Sequence, residues 1–207
     1  MLMKKLAAVL AIVGLLAMGS ASAQISNSDH DFSANGYAQG EICIVCHAPH
    51  DTDTSVADAP LWDHDLTTGG AGFTPYSSAT LTATVGNPDG ISLLCLSCHD
   101  GTVAIDSFGG NTGSTFVTGT ANKGTDLSDD HPISFTYDAG LATADGELHD
   151  PTTQSSGLGS TIALDMLFNN QLECASCHDV HNSAGTANDL LVMSNANSAL
   201  CLTCHDK

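Results

Sequence analysis

The sequence predicts a chain that is mostly irregular coil with short α-helices and little β structure, folded around something other than a hydrophobic core. Three observations predict this. All eight cysteines fall into four C-x-x-C pairs, each followed at once by a histidine. Aromatic residues are only 5% of 207 residues while Gly, Ser, Thr, Asn and Asp fill long stretches, so an apolar interior is thin and something else must fill it or staple the chain. The pattern of motifs also occurs twice, in the first and second halves of the chain.

The first segment, 1–23, reads as an export signal: a basic start at Met1-Leu2-Met3-Lys4-Lys5, an apolar run from Leu6 to Gly19, and a small-residue cleavage site at Ala21-Ser22-Ala23. That run of 14 residues is short for a membrane span, which needs about 20, and no membrane span is expected elsewhere. No cysteine lies near the cleavage site to carry a lipid anchor. Cleavage before Gln24 leaves Lys123 and Lys207 against all 23 acids and no arginine, a formal charge of −21. Nucleic acid is excluded as a natural partner, because phosphate binding needs clustered Lys and Arg.

The four motifs are CIVCH (Cys43, Cys46, His47), CLSCH (Cys95, Cys98, His99), CASCH (Cys174, Cys177, His178) and CLTCH (Cys201, Cys204, His205). Four disulfides or two zinc ribbons would use the cysteines but would not require a histidine after every pair. Covalent haem attachment does require it: two thiols add to the two vinyl groups of one haem, and the adjacent histidine reaches the iron. Four covalently bound haem c groups are therefore expected, one per 46 residues of the mature chain, with the groups themselves forming much of the interior.

Six histidines lie outside the motifs. Asp29-His30-Asp31-Phe32-Ser33 precedes the first pair of motifs as Asp130-His131-Pro132-Ile133-Ser134 precedes the second. His50 and His181 each stand three residues after the histidine of CIVCH or CASCH, and each half closes on LCLSCHD or LCLTCHD. The repeat nominates His30, His50, His131 and His181 as second axial ligands. A residue three positions on in a short turn projects from the same side, so His50 and His181 must serve a neighbouring group. The expected pairing is His50 with the Cys95–Cys98 haem and His181 with the Cys201–Cys204 haem, His30 and His131 completing the first and third. His64 and His149 lack partners in the repeat and are read as surface residues, His64 being the spare candidate; Met166 and Met193 are read as packing.

The expected organisation is 24–120 for a first two-haem module with an N-terminal arm, and 121–207 for a second. The arm, Gln24 to Gly40, has no clear periodicity. Thr67 to Gly90 is loop, with turns at Asn87-Pro88 and Asp89-Gly90. Thr102 to Phe108 alternates weakly, as a short strand would. Leu158 to Leu172 is the best helix candidate, leading into the third motif, and a short helix is expected at each attachment site.

CxxCHxPH, LCLSCHDGTVA (Leu94 to Ala104), DHPISF (Asp130 to Phe135) and CASCHDVHN (Cys174 to Asn182) together resemble the doubled-CxxCH multihaem cytochromes of metal-reducing bacteria. In length and motif number the chain is similar to the OmcE-type tetrahaem group, whose members polymerise into extracellular filaments and can share a haem ligand between subunits. The resemblance implies an exported homopolymer at the cell surface or outside it, serving redox partner proteins or an extracellular electron acceptor. If a ligand crosses between subunits, the arm with His30, or His64, is the expected segment. An iron bound by two histidines has no open position for substrate, so electron transfer is expected and catalysis is not. The alternative is a monomeric periplasmic carrier whose acidic surface docks on basic partners; less favoured is a multihaem oxidoreductase.

Overall fold

A computed structural model describes residues 24–56, 59, 61–69, 72–186 and 189–206; the expected export signal lies outside the described residues. Regular elements are few and short. Helix α1 is Ser92–His99, α2 Ala139–Asp145, α3 Ile162–Asp165 and α4 Ala199–Cys204. Strands β1 (Phe135–Thr136) and β2 (Gln171–Leu172) pair antiparallel, Phe135 opposite Leu172. No helix among the described residues is long and apolar enough to cross a membrane.

Every attachment motif is a helical turn, for a local reason. The histidine N–H donates to the carbonyl of the first cysteine, at 2.9 Å in His47→Cys43, 3.0 Å in His178→Cys174 and 3.0 Å in His205→Cys201. Residues three apart on such a turn share a face, so the two thiols of each motif stand together. The second motif of each half sits on a true helix, α1 or α4; the first motif of each half is a single turn.

The two halves also share the chain return beyond their first motif. Ala48 N–H donates to the Leu61 carbonyl and Asp63 N–H to that of Cys46; in the second half Asp179 N–H donates to Leu190 and Val192 N–H to Cys177. Leu61 and Leu190 both adopt positive φ, 57° and 49°. A sequence repeat is thus a backbone repeat, in which His64 stands where the second half has Met193.

The helix expected over Leu158–Leu172 shrinks to the single turn of α3. Gly157 and Gly159 at φ 78° and 132° keep the approach out of helix, and Asn169 and Asn170 at φ 51° and 62° turn the chain back so that Gln171 and Leu172 join β1. Thr102–Phe108 forms no strand; its ladder is reduced to a bridge between Phe108 and His64 and an Ile105 N–H bond to Thr115.

The apolar interior is three small clusters. Phe135, Tyr137, Ala142, Ile162, Met166, Leu172 and Leu200 form the largest; Ala38, Val45 and Phe108 form a second; Phe73, Leu96 and Leu127 a third. Met166 is buried packing in the first of these. Ile162 is fully buried at its centre, so Ile162→Ala is expected to cost about 2–5 kcal/mol in chemical denaturation, the range for deleting a core aliphatic side chain.

Candidate functional site

The motifs adjoin one another in space in the order they take in sequence. Cys46 lies close enough to Cys98 that a thiolate on one disfavours a thiolate on the other. Cys95 on α1 and Cys174 share a hydrogen bond, and Cys177 faces Cys201 and Cys204. Burial pushes the Cys46, Cys177 and Cys204 thiols up to about 11 and Cys98 to about 12, so these sulfurs are held neutral in apolar surroundings. All eight cysteines are unbridged, and among the described residues no three His, Cys, Asp or Glu side chains converge to hold a metal ion by themselves. The motifs do not gather as four-thiolate zinc sites.

Histidine rings meet in pairs. His47 and His181 are stacked with centroids 6.3 Å apart and planes 17° apart; His30 and His99 are 5.9 Å apart; His131 and His205 are 6.4 Å apart. Each pair joins one motif histidine to one outside the motifs. A single metal ion bound through nitrogen on both sides sets ring centres about 6 Å apart, from about 2 Å per metal–nitrogen bond and about 1 Å from nitrogen to ring centre. The main chain orients several of these rings. Nδ1 of His99 bonds the Ala121 carbonyl at 2.7 Å, that of His131 the Pro132 carbonyl at 2.8 Å and that of His178 the Asp189 carbonyl at 2.9 Å. A carbonyl at Nδ1 fixes the N–H there and leaves Nε2 as the free donor atom toward a metal. Burial, then the nearby His99, holds His30 down at about 4, so it is a neutral imidazole, and its Nδ1 is buried without a partner.

Beside the fourth motif lies a cavity of about 530 Å³, lined by Cys201, Cys204, His205 and His131 with Phe135, Met166 and other apolar side chains. That volume is within the range of small-molecule and cofactor pockets, about 300–1,000 Å³. Two thiols on one face of a turn, two opposed imidazoles and an apolar chamber between them are the donor set that a covalently bound haem requires. The residues present fit it.

These pairs differ from those expected from the repeat. His30 stands beside His99, the second motif, because the turns at Phe32–Ala34 and Gly36–Ala38 pack Ala38 against Val45 and Phe108 and fold the arm inward. His181 reaches His47 across the halves, anchored by the Gln24 N–H bond to its carbonyl at 2.7 Å. His131 stands beside His205. His50 projects into solvent with 80% of its side chain exposed, its Nδ1 3.0 Å from the Asp51 carboxylate. Among the described residues His50, His149 and His178 make no ring pair, although His178 lies near enough to His30 for their charges to interact. His64, read as a surface residue, is 2% exposed: Nδ1 lies 2.7 Å from the Asp65 carbonyl, and Nε2 3.0 Å from that of Ala104 and 3.5 Å from Cys98 Sγ. His149 is half-buried, its backbone bonded to Cys204.

Two residues of the site escape the sequence reading. Tyr137 donates its hydroxyl to the His149 carbonyl at 2.6 Å, with the Cys204 carbonyl at 3.3 Å, and lines the cavity. Glu173 is buried at the junction of α1 and the third motif. Glu173 had a readable signal, since the position before the first cysteine is Ile42 in the first half and an acid in the second.

Residues 167–207 match the family model of the doubled CXXCH motif. The match supports a multihaem c-type cytochrome, with covalently bound haem c and electron transport. No curated protein matches the chain. Tyr137→Phe, which leaves the His149 carbonyl without its donor, is expected to lower stability by about 1–3 kcal/mol in denaturant titration.

Proposed function

We propose that the chain is an exported tetrahaem c-type cytochrome that passes electrons along its row of motifs, and that copies of it join head to tail as a conductive extracellular filament. Haem c supplies a reversible one-electron iron couple when bound. The residues that would hold it are Cys43, Cys46, Cys95, Cys98, Cys174, Cys177, Cys201 and Cys204 as thioethers and His47, His99, His178 and His205 on the iron. His181, His30 and His131 complete the first, second and fourth sites. The chain contributes order and exclusion: the sequence of close cysteine contacts sets the row, burial around Cys46, Cys98, Cys177 and Cys204 limits water at one thiol of each motif, and paired imidazoles leave no position for a substrate at three of the sites.

One observation carries the filament reading. His47 corresponds to His178 in the repeat, and His50 to His181. Within the chain, His181 of the second half faces His47 of the first. The same relation applied once more joins His50 of one copy to His178 of the next; among the described residues neither is paired with another histidine ring, although His178 lies near enough to His30 for their charges to interact. The Asp51 carboxylate at His50 Nδ1 leaves its exposed Nε2 as the free donor atom. On this reading His50, rather than the arm or His64, crosses the interface.

A dispersed periplasmic carrier is the second reading, favoured by the charge: subunits at −21 repel, and acidic surfaces suit brief docking on basic partners. In that case the site of His178 keeps one open position.

Haem analysis of the mature protein is expected to give four haems per chain, with the haem mass on each motif peptide. His181→Ala should turn one haem of the four high-spin in the visible spectrum; four low-spin haems in that variant would refute the His47–His181 assignment.

Negative-stain electron microscopy of the secreted, haem-loaded protein at low and moderate salt is expected to show filaments. His50→Ala should give dispersed particles with one high-spin, carbon-monoxide-binding haem per chain once reduced. Dispersed wild-type particles at both salts would establish the carrier instead.

A further inference from the structure

Glu173 is a carboxyl with 2% of its surface exposed, in a chain whose described residues include a single lysine, Lys123, and that lysine is 3.6 Å from Asp130. Its surroundings are hydroxyls and amides. Ser92 of α1 donates to Oε2, as does Ser134 at 2.9 Å; the Gln171 amide, turned with nitrogen inward, donates to Oε1 at 3.1 Å and to Asp89 at 2.8 Å. The Glu173 N–H donates to Ser176 at 2.9 Å, and Ser92 Oγ accepts from Cys174 N–H at 3.0 Å. The charged group facing it is Asp89, in the turn before α1. Cys95 and Cys174 beside it carry no charge once they are thioethers. Burial pushes the Glu173 carboxyl above its usual range, against the serine bonds that pull it down.

The carboxylate also caps the turn of the third motif, its side chain accepting from the Ser176 N–H while the Ser176 hydroxyl accepts from the Glu173 N–H. The equivalent position of the first half is Ile42, half-buried and apolar. At 173 the backbone has instead been opened for a carboxylate: a Cβ on Gly90, which has φ 51°, would stand 2.9 Å from Oε1. This carboxyl lies between the two central motifs, one residue from Cys174 and hydrogen-bonded through Ser92 to the helix that carries Cys95.

From this placement we infer that Glu173 takes up a proton when the second or third haem is reduced, so that electron entry at the centre of the row is coupled to proton binding. The inference rests on the haem reading of the motifs. A low-potential one-electron donor converts ferric to ferrous iron, and a proton from water converts the Glu173 carboxylate to the neutral acid; no bond of the haem breaks. Each added electron makes the surroundings more negative, and a buried carboxylate without a cation relieves that by protonation. Lowering the pH therefore favours reduction of these haems, and raising it favours their oxidation.

The test is a spectroelectrochemical titration of the haem-loaded wild-type and Glu173→Gln proteins across acidic to mildly alkaline pH, after haem analysis has confirmed four haems in each. In the wild type, midpoints of the two central haems are expected to fall as pH rises, and reduction should raise an infrared carboxyl band. In Glu173→Gln those midpoints should stay near their wild-type acidic values at every pH, and the band should be absent. Undiminished pH dependence in the variant, or none in the wild type, overturns the inference. If Glu173→Gln does not mature, Ser134→Ala, which removes one donor to the carboxylate, should move the pH dependence to higher pH, and an unmoved profile overturns it equally. Absence of haem from the second and third motif peptides of the wild type would refute the haem reading itself.

Discussion

The bond from each motif histidine N–H to the carbonyl of the first cysteine is the constraint on which the rest of this structure depends. It closes five residues into one helical turn, and only in that turn do two thiols share a face with the next histidine beginning a new direction. A longer helix is unnecessary, and three of the four motifs lie in runs of six residues or fewer. Isolated turns of this length have no stability of their own. They are held by chain returns, Leu61 and Leu190 closing over the first motif of each half, and by the three small clusters. Such clusters cannot close over the cavity of about 530 Å³ beside the fourth motif. An occupant bound covalently and through two imidazoles, as proposed, would supply the missing contacts and let so little regular structure suffice.

The turns were legible because they are local. CxxCH fixes its own geometry at a range of four residues, and the irregular character of the remainder came from the shortage of apolar side chains. The correspondence of the halves was also legible, and the shared returns at Ala48 and Asp179 show it in the backbone. Histidine pairing was not. It depends on how the arm packs on Val45 and Phe108 and on a contact between halves, distances across sequence that neither periodicity nor spacing encodes. The repeat nominated histidines in each half but could not say which ring each would meet, in its own half or in the other.

Where the halves depart from one another, the departures cluster at the centre of the row. Ile42 is matched by Glu173, and Met193 by the buried His64. His64 Nε2 lies 3.5 Å from Cys98 Sγ, and Glu173 adjoins Cys174. An identical pair of modules would give two copies of each site with the same surroundings. Divergence at these positions gives the second site a buried imidazole and the third a buried carboxyl that their counterparts in the other half do not have, and a polar group near a buried redox centre shifts it by far more than one in water.

The acidic charge has a structural use as well as a cost. Asp31, Asp53, Asp126 and Asp150 each accept from the backbone of the residue two positions on, a Ser or Thr, and each carboxyl is held below its usual range mainly by that Ser or Thr. In a chain of loops these turns substitute for helix and strand. A carboxyl held low in the folded state adds stability above its unfolded value, and that stability is lost as pH falls through the folded one. Protonation would therefore relieve the repulsion between copies that the proposed filament must overcome and loosen the loops in the same step. Salt screens the exposed charges between neighbours while leaving each two-residue turn intact, because the turn bonds are far shorter than the screening length of about 8–10 Å. On the proposed reading, assembly of so acidic a chain would be better promoted by ionic strength than by acidification, with the exposed His50 beside Asp51 placed where that screening would act.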